Sequence, residues 1–378
     1  MKIVQVNVTP LFCQLKQPYH WSQGVNDSSS ILLVEVKTDE GVVGYGEIMA
    51  CPNVDAALAV VKHLLPTIVG ESIYDGNRIR ARAYPSAFGI RGAGSAPRYF
   101  AQVFSGIDLA LWDAVGKAVN QPLHKLLGGA VHERISYFGF IQGNTPDELA
   151  RHAASLMRQG FEVFYMKVGR GATQDIAAVR AVREAIGSHR LRVDANEVWD
   201  LLTARSMISA LAPFGIEMLE QPVPASTSRG ALASLRAVSD IPLVGDQSAF
   251  SSEEVYDLCR EAAVDMITLG LHETGGVLGL RKAAAVAEAA GVNICNHGIF
   301  ESGITTCAAN QVLATIPNLD DGNQIMWQLL KEDLVLEPSL TPVNGALPVS
   351  NLPGLGFELN WDAIHRAANA YQAMCSAS

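Results

Sequence analysis

Five residues with side chains suited to catalysis end successive apolar segments of this chain at nearly constant spacing. Lys167 ends VFYMK, Asp194 ends LRVD, Glu220 ends EMLE, Asp246 ends PLVGD and His297 ends VNICNH. The intervals are 27, 26, 26 and 51 residues, and the last is close to two units of the same length. One strand, one helix and their loops take up such a length, so the spacing predicts successive βα units.

The ends of these predicted strands indicate a metal-dependent active site. In a closed parallel barrel, the carboxyl ends of the strands surround one mouth, where active sites lie. Three of the five side chains are carboxylates, the minimum set of oxygen ligands for a hard divalent cation, and a lysine and a histidine flank them. We therefore expect an enzyme that combines a bound metal ion with acid and base catalysis.

The composition favours a globular enzyme of two domains. The 378 residues are 49% hydrophobic and 17% charged, with a net charge of −10 and no basic run, which argues against disorder and against nucleic acid as a partner. An apolar stretch of about 18 residues is absent, and the opening MKIVQVNVTPLF alternates like a strand and lacks the features of a signal peptide. The six cysteines are scattered, so we expect reduced thiols, a cytoplasmic location and no membrane association.

The chain is predicted to begin with an α+β capping domain, residues 1–128. Residues 1–12 and 30–47 alternate like antiparallel strands, and helical periodicity follows. Residues 84–98 are rich in glycine, alanine and serine, a composition typical of a loop. The last residues, 345–378, are predicted to pack back on this domain.

The remaining residues, 129–344, are predicted to form a barrel. Strands and helices alternate through seven strands, and an eighth is predicted at 324–329, QIMWQL. Functional residues at many adjacent strand ends favour a barrel over a doubly wound sheet, because an open sheet concentrates its site at one switch point. The predicted fold class is therefore α/β: a modified (β/α)8, TIM-like barrel with an N-terminal α+β capping domain that the C-terminal tail completes.

Several short motifs occur in order along the chain. They are SGIDLALWDAVGK at 105–117, PLHKLLGG at 122–129, YMKVG at 165–169, VDAN at 193–196, EQP at 220–222, GD at 245–246, ETGG at 273–276 and ESG at 301–303. The set covers nearly the whole chain and resembles the enolase superfamily, specifically its mandelate racemase and muconate-lactonizing groups. This resemblance implies Mg²⁺-dependent removal of the proton α to a carboxylate, which gives an enediolate.

The resemblance also implies roles for the five residues at the strand ends. Asp194, Glu220 and Asp246 correspond to the three magnesium ligands, with one Mg²⁺ per subunit. Lys167 corresponds to the second lysine of the family's KxK motif, the base that abstracts the proton. His297 lies where the racemase-like group places a histidine on the opposite face of the substrate.

Further positions follow from the same resemblance. Asn196 matches the second polar position after the first ligand, and Glu301 matches the glutamate of the ESG element, so we expect both to contact substrate. Relatives commonly assemble as dimers or octamers, which implies a homo-oligomer that acts on a small-molecule carboxylate.

The departures from the family pattern bear on the reaction. Tyr165 stands where KxK has its first lysine, and we expect its hydroxyl to contact the substrate or to position Lys167. Gly270 stands where one group has a second catalytic lysine and the other an aspartate that pairs with the histidine. A dyad partner for His297 is therefore not visible in the sequence. Gln328 is a weak candidate for an electrophile near the eighth strand.

Two loops of the capping domain are expected to set specificity. The first, near residue 20, reads PYHWSQGVND, and we expect Trp21 and His20 to bind substrate by stacking and hydrogen bonding. The second, near residue 50, reads IMACPNV. Arg91 and Arg98 are weaker candidates for contacting a second substrate anion.

Three functions remain open from the sequence. If His297 protonates a departing hydroxyl on the β-carbon, the enzyme is a dehydratase of a hydroxy (sugar) acid, the hypothesis we favour. If His297 returns a proton to the opposite face, the enzyme is a racemase or epimerase of a 2-substituted carboxylic acid. The missing KxK lysine and dyad aspartate motivate a third alternative, a member that binds metal and ligand without catalysis.

Overall fold

The protein has a mixed α/β fold with two main sheets, seen in a computed structural model that describes residues 1–49, 53–87 and 97–377. A three-stranded antiparallel sheet belongs to the cap, and a curled seven-stranded parallel sheet forms most of a barrel. This confirms the predicted fold class. Within the described residues, none of the helices has the length and apolar character needed to span a membrane.

The capping sheet is built from three consecutive antiparallel strands, with helices following them in the chain. The alternating segments predicted from the sequence form these strands, although the first continues well beyond the predicted residue 12. The elements are β1 (Ile3–Trp21), β2 (Gly24–Thr38), β3 (Val43–Met49), α1 (Val54–Ile68), α2 (Gly76–Ser86), α3 (Pro97–Ala118) and α4 (Leu123–Leu126).

The segment near residue 20, predicted as a loop, is the tip of a β-hairpin. β1 runs to Trp21, which pairs with Gly24, and Tyr19 pairs with Asn26. Successive side chains of a strand point to opposite faces. Tyr19 and Trp21 therefore share one face of β1, and His20 lies on the other.

The barrel sheet follows chain order, with strands β5 to β11 adjacent and parallel. Its strands, with β4 just before them, are β4 (Arg134–Ser136), β5 (Gly139–Phe140), β6 (Val163–Lys167), β7 (Arg190–Asp194), β8 (Met218–Glu220), β9 (Leu243–Gly245), β10 (Met266–Leu269) and β11 (Asn293–Asn296). The helices of this part are α5 (Pro146–Arg158), α6 (Ala172–Ile186), α7 (Leu201–Leu211), α8 (Arg229–Arg236), α9 (Ser252–Arg260), α10 (Leu271–Thr274), α11 (Val277–Ala289) and α12 (Gly303–Leu313).

Polar side chains mark where several barrel helices begin. Thr145 and Glu148 form a capping box at α5, with Pro146 at the first helical position. Asp200 and Ser251 cap α7 and α9 in the same way, each accepting a hydrogen bond from a backbone N–H of the first turn. Each of these caps fixes the point where a loop that follows a barrel strand ends and the next helix begins.

The predicted eighth strand is wrong: residues Met326–Leu329 form a short 3₁₀ helix. The barrel closes instead through single parallel bridges at Leu319 and Asn323. The side chain of Asn323 adds to the backbone hydrogen bonds of this segment, since its Oδ1 accepts from the N–H of Asn296 at 2.7 Å and its Nδ2 donates to the carbonyl of Ser136 at 2.8 Å. The closing segment is not a regular strand, so its sequence has no strand periodicity to detect.

The C-terminal tail contacts both parts of the molecule. Its elements are β12 (Val335–Glu337), β13 (Ala346–Pro348), β14 (Glu358–Leu359) and α13 (Trp361–Ala377). β13 pairs with β4, and the Tyr371 hydroxyl of α13 donates to Asp55 Oδ1 of α1 at 2.8 Å. The division into residues 1–128 and 129–344 remains our interpretation.

Glu47, at the end of β3, links the cap to the barrel. Its buried carboxylate accepts four hydrogen bonds at 2.7–3.2 Å from the backbone and side chains of Ser302 and Thr305, at the start of α12. A helix N-terminus stabilises such a negative charge. Close packing of β3 on α3 positions Glu47 for this contact. The packing requires glycine at position 46, because a methyl group there would collide with the carbonyl of Gly106 in α3.

We expect Glu47→Gln to lower the free energy of unfolding by about 2 to 3 kcal/mol, because the amide cannot accept all four hydrogen bonds and places its own donors against N–H and O–H groups. Urea denaturation measures this loss as a lower midpoint at unchanged slope. Glu40→Gln, at an exposed carboxylate, is the matched control and should stay within about 0.5 kcal/mol of the wild type. Equal stability of both variants would show that Glu47 does not join the two parts.

Candidate active site

The register of the parallel strands brings the predicted side chains to one level of the barrel mouth. Lys167 pairs with Asp194, and Asp194 pairs with Glu220, across β6, β7 and β8. Asp246 directly follows β9, and His297 directly follows β11. All three carboxylates are buried, and Lys167 and His297 line the same cavity of about 340 Å³ above them.

Tyr165 lies between two of the carboxylates. Its hydroxyl donates to Asp194 Oδ2 at 2.6 Å and lies 3.1 Å from Glu220 Oε1, and Lys167 Nζ donates to the hydroxyl oxygen at 3.3 Å. The ring is stacked on Phe138 with centroids 4.2 Å apart. Burial and the neighbouring negative charges raise the pKa of Tyr165 well above its usual value. Of its two expected roles, this geometry favours positioning of Lys167 over contact with substrate.

The carboxylates carry the features expected of a cation site. Burial and the charge of Asp194 raise the pKa of Glu220 to about 7. Burial also raises the pKa of Asp246 well above its usual range, opposed by His297 and reinforced by Glu220. Both oxygens of Asp246 are buried without a hydrogen-bond partner. A divalent cation would satisfy these oxygens and relieve the repulsion, so the charges and oxygen donors present suit Mg²⁺. The oxygens of Asp194, Glu220 and Asp246 do not all lie within 4.8 Å of one another, so these carboxylates would draw closer together around a bound ion.

Lys167 is held by Asp194, whose Oδ2 lies 2.5 Å from Nζ. Burial is the largest single influence and disfavours the charge on Lys167, but Asp194, Tyr19 and Glu220 together outweigh it, and the net effect is a raised pKa of the amine. Burial alone, or a cation bound nearby, would instead lower this pKa. A cation that shared the negative charge of Asp194 and Glu220 would therefore shift the amine towards its neutral form.

His297 has a partner that the sequence did not reveal. Its Nδ1 contacts Oε1 of Glu273, a fully buried carboxylate on the short helix α10. Glu273 fills the space that a side chain at Gly270 would need, since a methyl group there would lie 2.9 Å from Glu273 Oε2. The carboxylate expected at position 270 is thus supplied from three residues later in the chain. The ETGG motif was visible, but only folding of α10 turns Glu273 towards His297.

The surroundings of His297 favour its protonated form. Burial disfavours the charge on the imidazole, but Asp246 and Glu273 outweigh burial and raise the pKa of His297 to about 10. Burial opposes ionisation of Glu273 as well, yet His297 and His272 hold the pKa of this carboxyl well below its usual range. His297 and Glu273 therefore form an ion pair in which His297 carries a proton to donate.

Asn196 and Glu301 occupy different places around the site. Asn196 lines the cavity with a buried Oδ1 that has no hydrogen-bond partner, and its backbone N–H donates to Asp194 Oδ1 at 2.7 Å. Glu301 is buried beside His297 in a separate small void of about 10 Å³. Burial raises the pKa of Glu301 to about 8. The structure brings Asn196, but not Glu301, to the wall of the main cavity.

The hairpin tip contributes Trp21 to the cavity but not His20. Tyr19 and Trp21 line the cavity, and the Trp21 indole N–H donates to Asn26 Oδ1 at 3.2 Å. His20 lies on the opposite face of β1, in an outer opening with Gln142. The expected contact between His20 and substrate is therefore corrected, because strand alternation turns this side chain away.

Arg98 and Gln328 are not among the described residues that line the cavity. Arg98 is paired with Glu254 and donates to a backbone carbonyl at the barrel exterior. Gln328 donates to the carbonyl of Leu340 at 2.7 Å. Gln324, which the sequence did not single out, lines the cavity and donates to Glu220 Oε1 at 3.2 Å. Arg91 and residues 50–52 of the second specificity loop lie outside the described residues.

Two family models match most of the chain. A model of the mandelate racemase / muconate lactonizing enzyme N-terminal domain matches residues 3–128, and an enolase C-terminal domain-like model matches residues 148–363. The chain belongs to the enolase superfamily. Within it, the chain falls in the mandelate racemase and muconate-lactonizing group, as the motifs had suggested.

Individual relatives of this enolase-superfamily member catalyse several reactions. N-succinyl-L-Arg/Lys racemase of Bacillus cereus is 29% identical over 96% of this chain and 97% of that protein. A crystal structure of the N-succinyl Arg/Lys racemase from Bacillus cereus has a TM-score of 0.89 at 27% identity, covering 97% of this chain and 98% of that chain. A probable glucarate dehydratase of Streptomyces coelicolor is 29% identical over 95% of this chain and 89% of that protein.

A relative with metal bound bears on the carboxylate site. A dipeptide epimerase from Cytophaga hutchinsonii, solved with Mg and the dipeptide D-Ala-L-Val, has a TM-score of 0.89 at 25% identity and covers 97% of this chain and 98% of that chain. The relatives are isomerases and a lyase, so this enolase-superfamily chain is an enzyme of one of these two classes. This finding speaks against the non-catalytic alternative.

Proposed function

We propose that this enzyme removes the proton α to the carboxylate of a hydroxy acid and then eliminates the β-hydroxyl as water. The observation that carries the proposal is the placement of Lys167 and His297 in one cavity, above three buried carboxylates. Four strands separate β6 from β11 in the curled sheet, so the lysine and the histidine approach a bound substrate from opposite sides.

The proposed reaction assigns one proton transfer to each side. In its neutral form, which a cation bound to Asp194 would favour, Lys167 accepts the α-proton, and the electrons of the broken C–H bond form the C=C bond of an enol as the C–O bond at the β-carbon breaks. His297 donates its proton to the departing hydroxyl, which leaves as water, and the enol becomes a keto acid. Glu273 holds the imidazole and stabilises its charge.

Asp194, Glu220 and Asp246 are the residues we propose to hold one Mg²⁺ per subunit. When bound, the ion supplies electrostatic stabilisation of the charge that develops on the substrate carboxylate. The relatives' use of Mg and the unpartnered oxygens of Asp246 support this assignment.

The chemistry of the cavity wall supports a hydroxylated substrate. Among its described lining residues, only Lys167 and His297 carry charge. The other polar groups are neutral hydroxyls and amides, contributed by Asn26, Ser28, Ser29, Ser30, Asn196, Gln247 and Gln324. Such groups suit the hydroxyls of a sugar acid, whereas a second carboxylate or an ammonium group would lack an opposite charge along this wall.

Racemisation or epimerisation is the alternative, and the relatives give it equal support. A racemase needs both groups to serve as base and as acid in turn. Here the two groups have different partners, since Lys167 pairs with Asp194 and His297 pairs with Glu273. We favour dehydration because it uses each group in one direction only.

Solvent exchange tests the proposal. The enzyme is incubated with Mg²⁺ and a panel of hydroxy acids in deuterated water, and NMR follows the α-proton and any keto acid. Dehydration gives a keto acid, and racemisation gives deuterium at the α-carbon with inversion and no keto acid. Absence of both outcomes across sugar acids, succinylated amino acids and dipeptides would contradict the proposed chemistry.

The hairpin tip offers a matched pair of variants for substrate binding. We expect Trp21→Ala to lower kcat/KM by about 10-fold or more through loss of a partly buried aromatic wall, chiefly by raising KM. His20→Ala, one residue away on the opposite face, should leave kcat/KM within about twofold. Steady-state kinetics on the substrate found by the exchange screen measures both values, and equal effects would show that the alternation of β1 does not govern specificity.

Assembly of this chain into a homo-oligomer remains a prediction. Measurement of its molecular mass in solution tests this prediction.

A further inference from the structure

Two buried side chains and the partly exposed His297, beside the carboxylate site, form a second cluster of potential metal ligands. His272, Glu273 and His297 each offer one ligand atom, and these atoms lie within 4.8 Å of one another. His272 and Glu273 are consecutive residues of α10, and the two imidazole rings lie 5.6 Å apart. The proposed reaction involves Glu273 and His297 but not His272.

The polar atoms of this cluster are poorly satisfied. His272 Nε2, both oxygens of Glu273 and His297 Nδ1 are buried and have no hydrogen bond of acceptable geometry, although Nδ1 touches Glu273 Oε1. His272 Nε2 lies 3.5 Å from the same oxygen. Buried polar atoms without partners are rare and call for an explanation such as an ion. One cation among these atoms would satisfy all three side chains.

The ligand types select a different ion from the neighbouring carboxylates. Two imidazoles and one carboxylate suit Zn²⁺, Co²⁺, Ni²⁺ or Fe²⁺, whereas Mg²⁺ prefers oxygen ligands. Gly270 contributes to the arrangement, since any side chain there would collide with both His272 and Glu273. The two sites are adjacent, because His297 Nε2 lies 3.6 Å from Asp246 Oδ2.

We propose that His272, Glu273 and His297 bind a second divalent ion of the zinc and cobalt class. Binding occupies Nδ1 of His297 and separates this imidazole from its ion pair with Glu273. If His297 is the proton donor of the proposed function, such an ion inhibits the Mg²⁺-loaded enzyme. The binding itself does not depend on which reaction the enzyme catalyses.

Cobalt absorption tests the site directly. Protein without a polyhistidine tag is saturated with Mg²⁺ and titrated with Co²⁺, and visible d–d bands report imidazole ligation in the absence of substrate. We expect one Co²⁺ per chain with saturable bands. His272→Gln should weaken this binding more than about 100-fold, since loss of a group that only supports a ligand already costs 10- to 100-fold. His20→Gln, at a histidine remote from the cluster, is the matched control and should leave it unchanged.

Two results would overturn the proposal. One is Co²⁺ binding that excess Mg²⁺ or Asp246→Asn abolishes and His272→Gln leaves intact, because the ion would then occupy the carboxylate site. The other is the absence of saturable bands in the wild type. Circular dichroism checks that His272→Gln is folded, and Glu273→Gln gives an independent second variant. Because the titration contains no substrate, its failure is separate from failure of the proposed dehydration.

Discussion

Replacement of Lys167 with methionine is expected to slow removal of the α-proton by a factor on the order of 10² to 10⁴, the usual contribution of a positioned base. Methionine has a length similar to that of the lysine stem but cannot accept a proton. The measurement is the loss of the α-proton NMR signal of the substrate in deuterated water with Mg²⁺ present. The keto acid or inverted product should decrease by the same factor, because both follow from the same proton removal.

The matched control is Lys282→Met, at an exposed lysine paired with Glu253 on the barrel exterior. This variant should exchange the α-proton at the wild-type rate. Circular dichroism and Mg²⁺ binding establish that the Lys167 variant is folded with its carboxylates in place. Exchange at the wild-type rate in Lys167→Met would remove this residue from the role of base.

Replacement of His297 with glutamine is expected to separate the two halves of the reaction. Lys167 is unchanged, so the α-proton should still exchange with solvent. Formation of the keto acid should decrease by a factor on the order of 10² to 10⁴, because the departing hydroxyl loses its proton donor. Parallel NMR measurements of exchange and product give the two rates from one sample.

Other outcomes for this variant have distinct meanings. If keto acid forms at the wild-type rate, His297 is not the donor, and another cavity group such as Tyr19 must be considered. If the wild type inverts its substrate and the variant only exchanges the α-proton with retention, the enzyme is a racemase or epimerase. His124→Gln is not a suitable control, since this buried histidine hydrogen-bonds to Gln311; the exposed His365 is a better choice.

Much of the fold was predictable because its signal repeats. Five of the seven strands of the barrel sheet, β6 to β9 and β11, have a charged residue or histidine at or directly after their last residue, and the parallel register brings Lys167, Asp194 and Glu220 to the same level. A side chain at the end of a short buried strand has little freedom to lie elsewhere. The sequence therefore predicted which residues meet, without any information on distances.

The features that escaped prediction depend on single contacts. The barrel closes through isolated bridges supported by the side-chain amide of Asn323, and Glu273, on a four-residue helix, takes the place of a side chain absent at Gly270. Neither arrangement repeats along the chain, so neither one produces a periodic pattern in the sequence from which it could be predicted. The hairpin near residue 20 was mistaken for a loop because its polar and aromatic residues resemble loop composition, although its alternation and Gly24 were visible.

The alternation in that hairpin also bears on how the enzyme can acquire new substrates. Positions 19 and 21 of β1, with Asn26, Ser28 and Ser30 of the paired strand, line the cavity, while Lys167 and His297, the proposed proton-transfer groups, lie on the barrel. A mutant library confined to these five positions would vary the hairpin side chains that line the cavity. It would leave the proposed proton-transfer groups unchanged. Natural or directed evolution can therefore change which substrates this fold binds through substitutions in one hairpin at the mouth of the barrel.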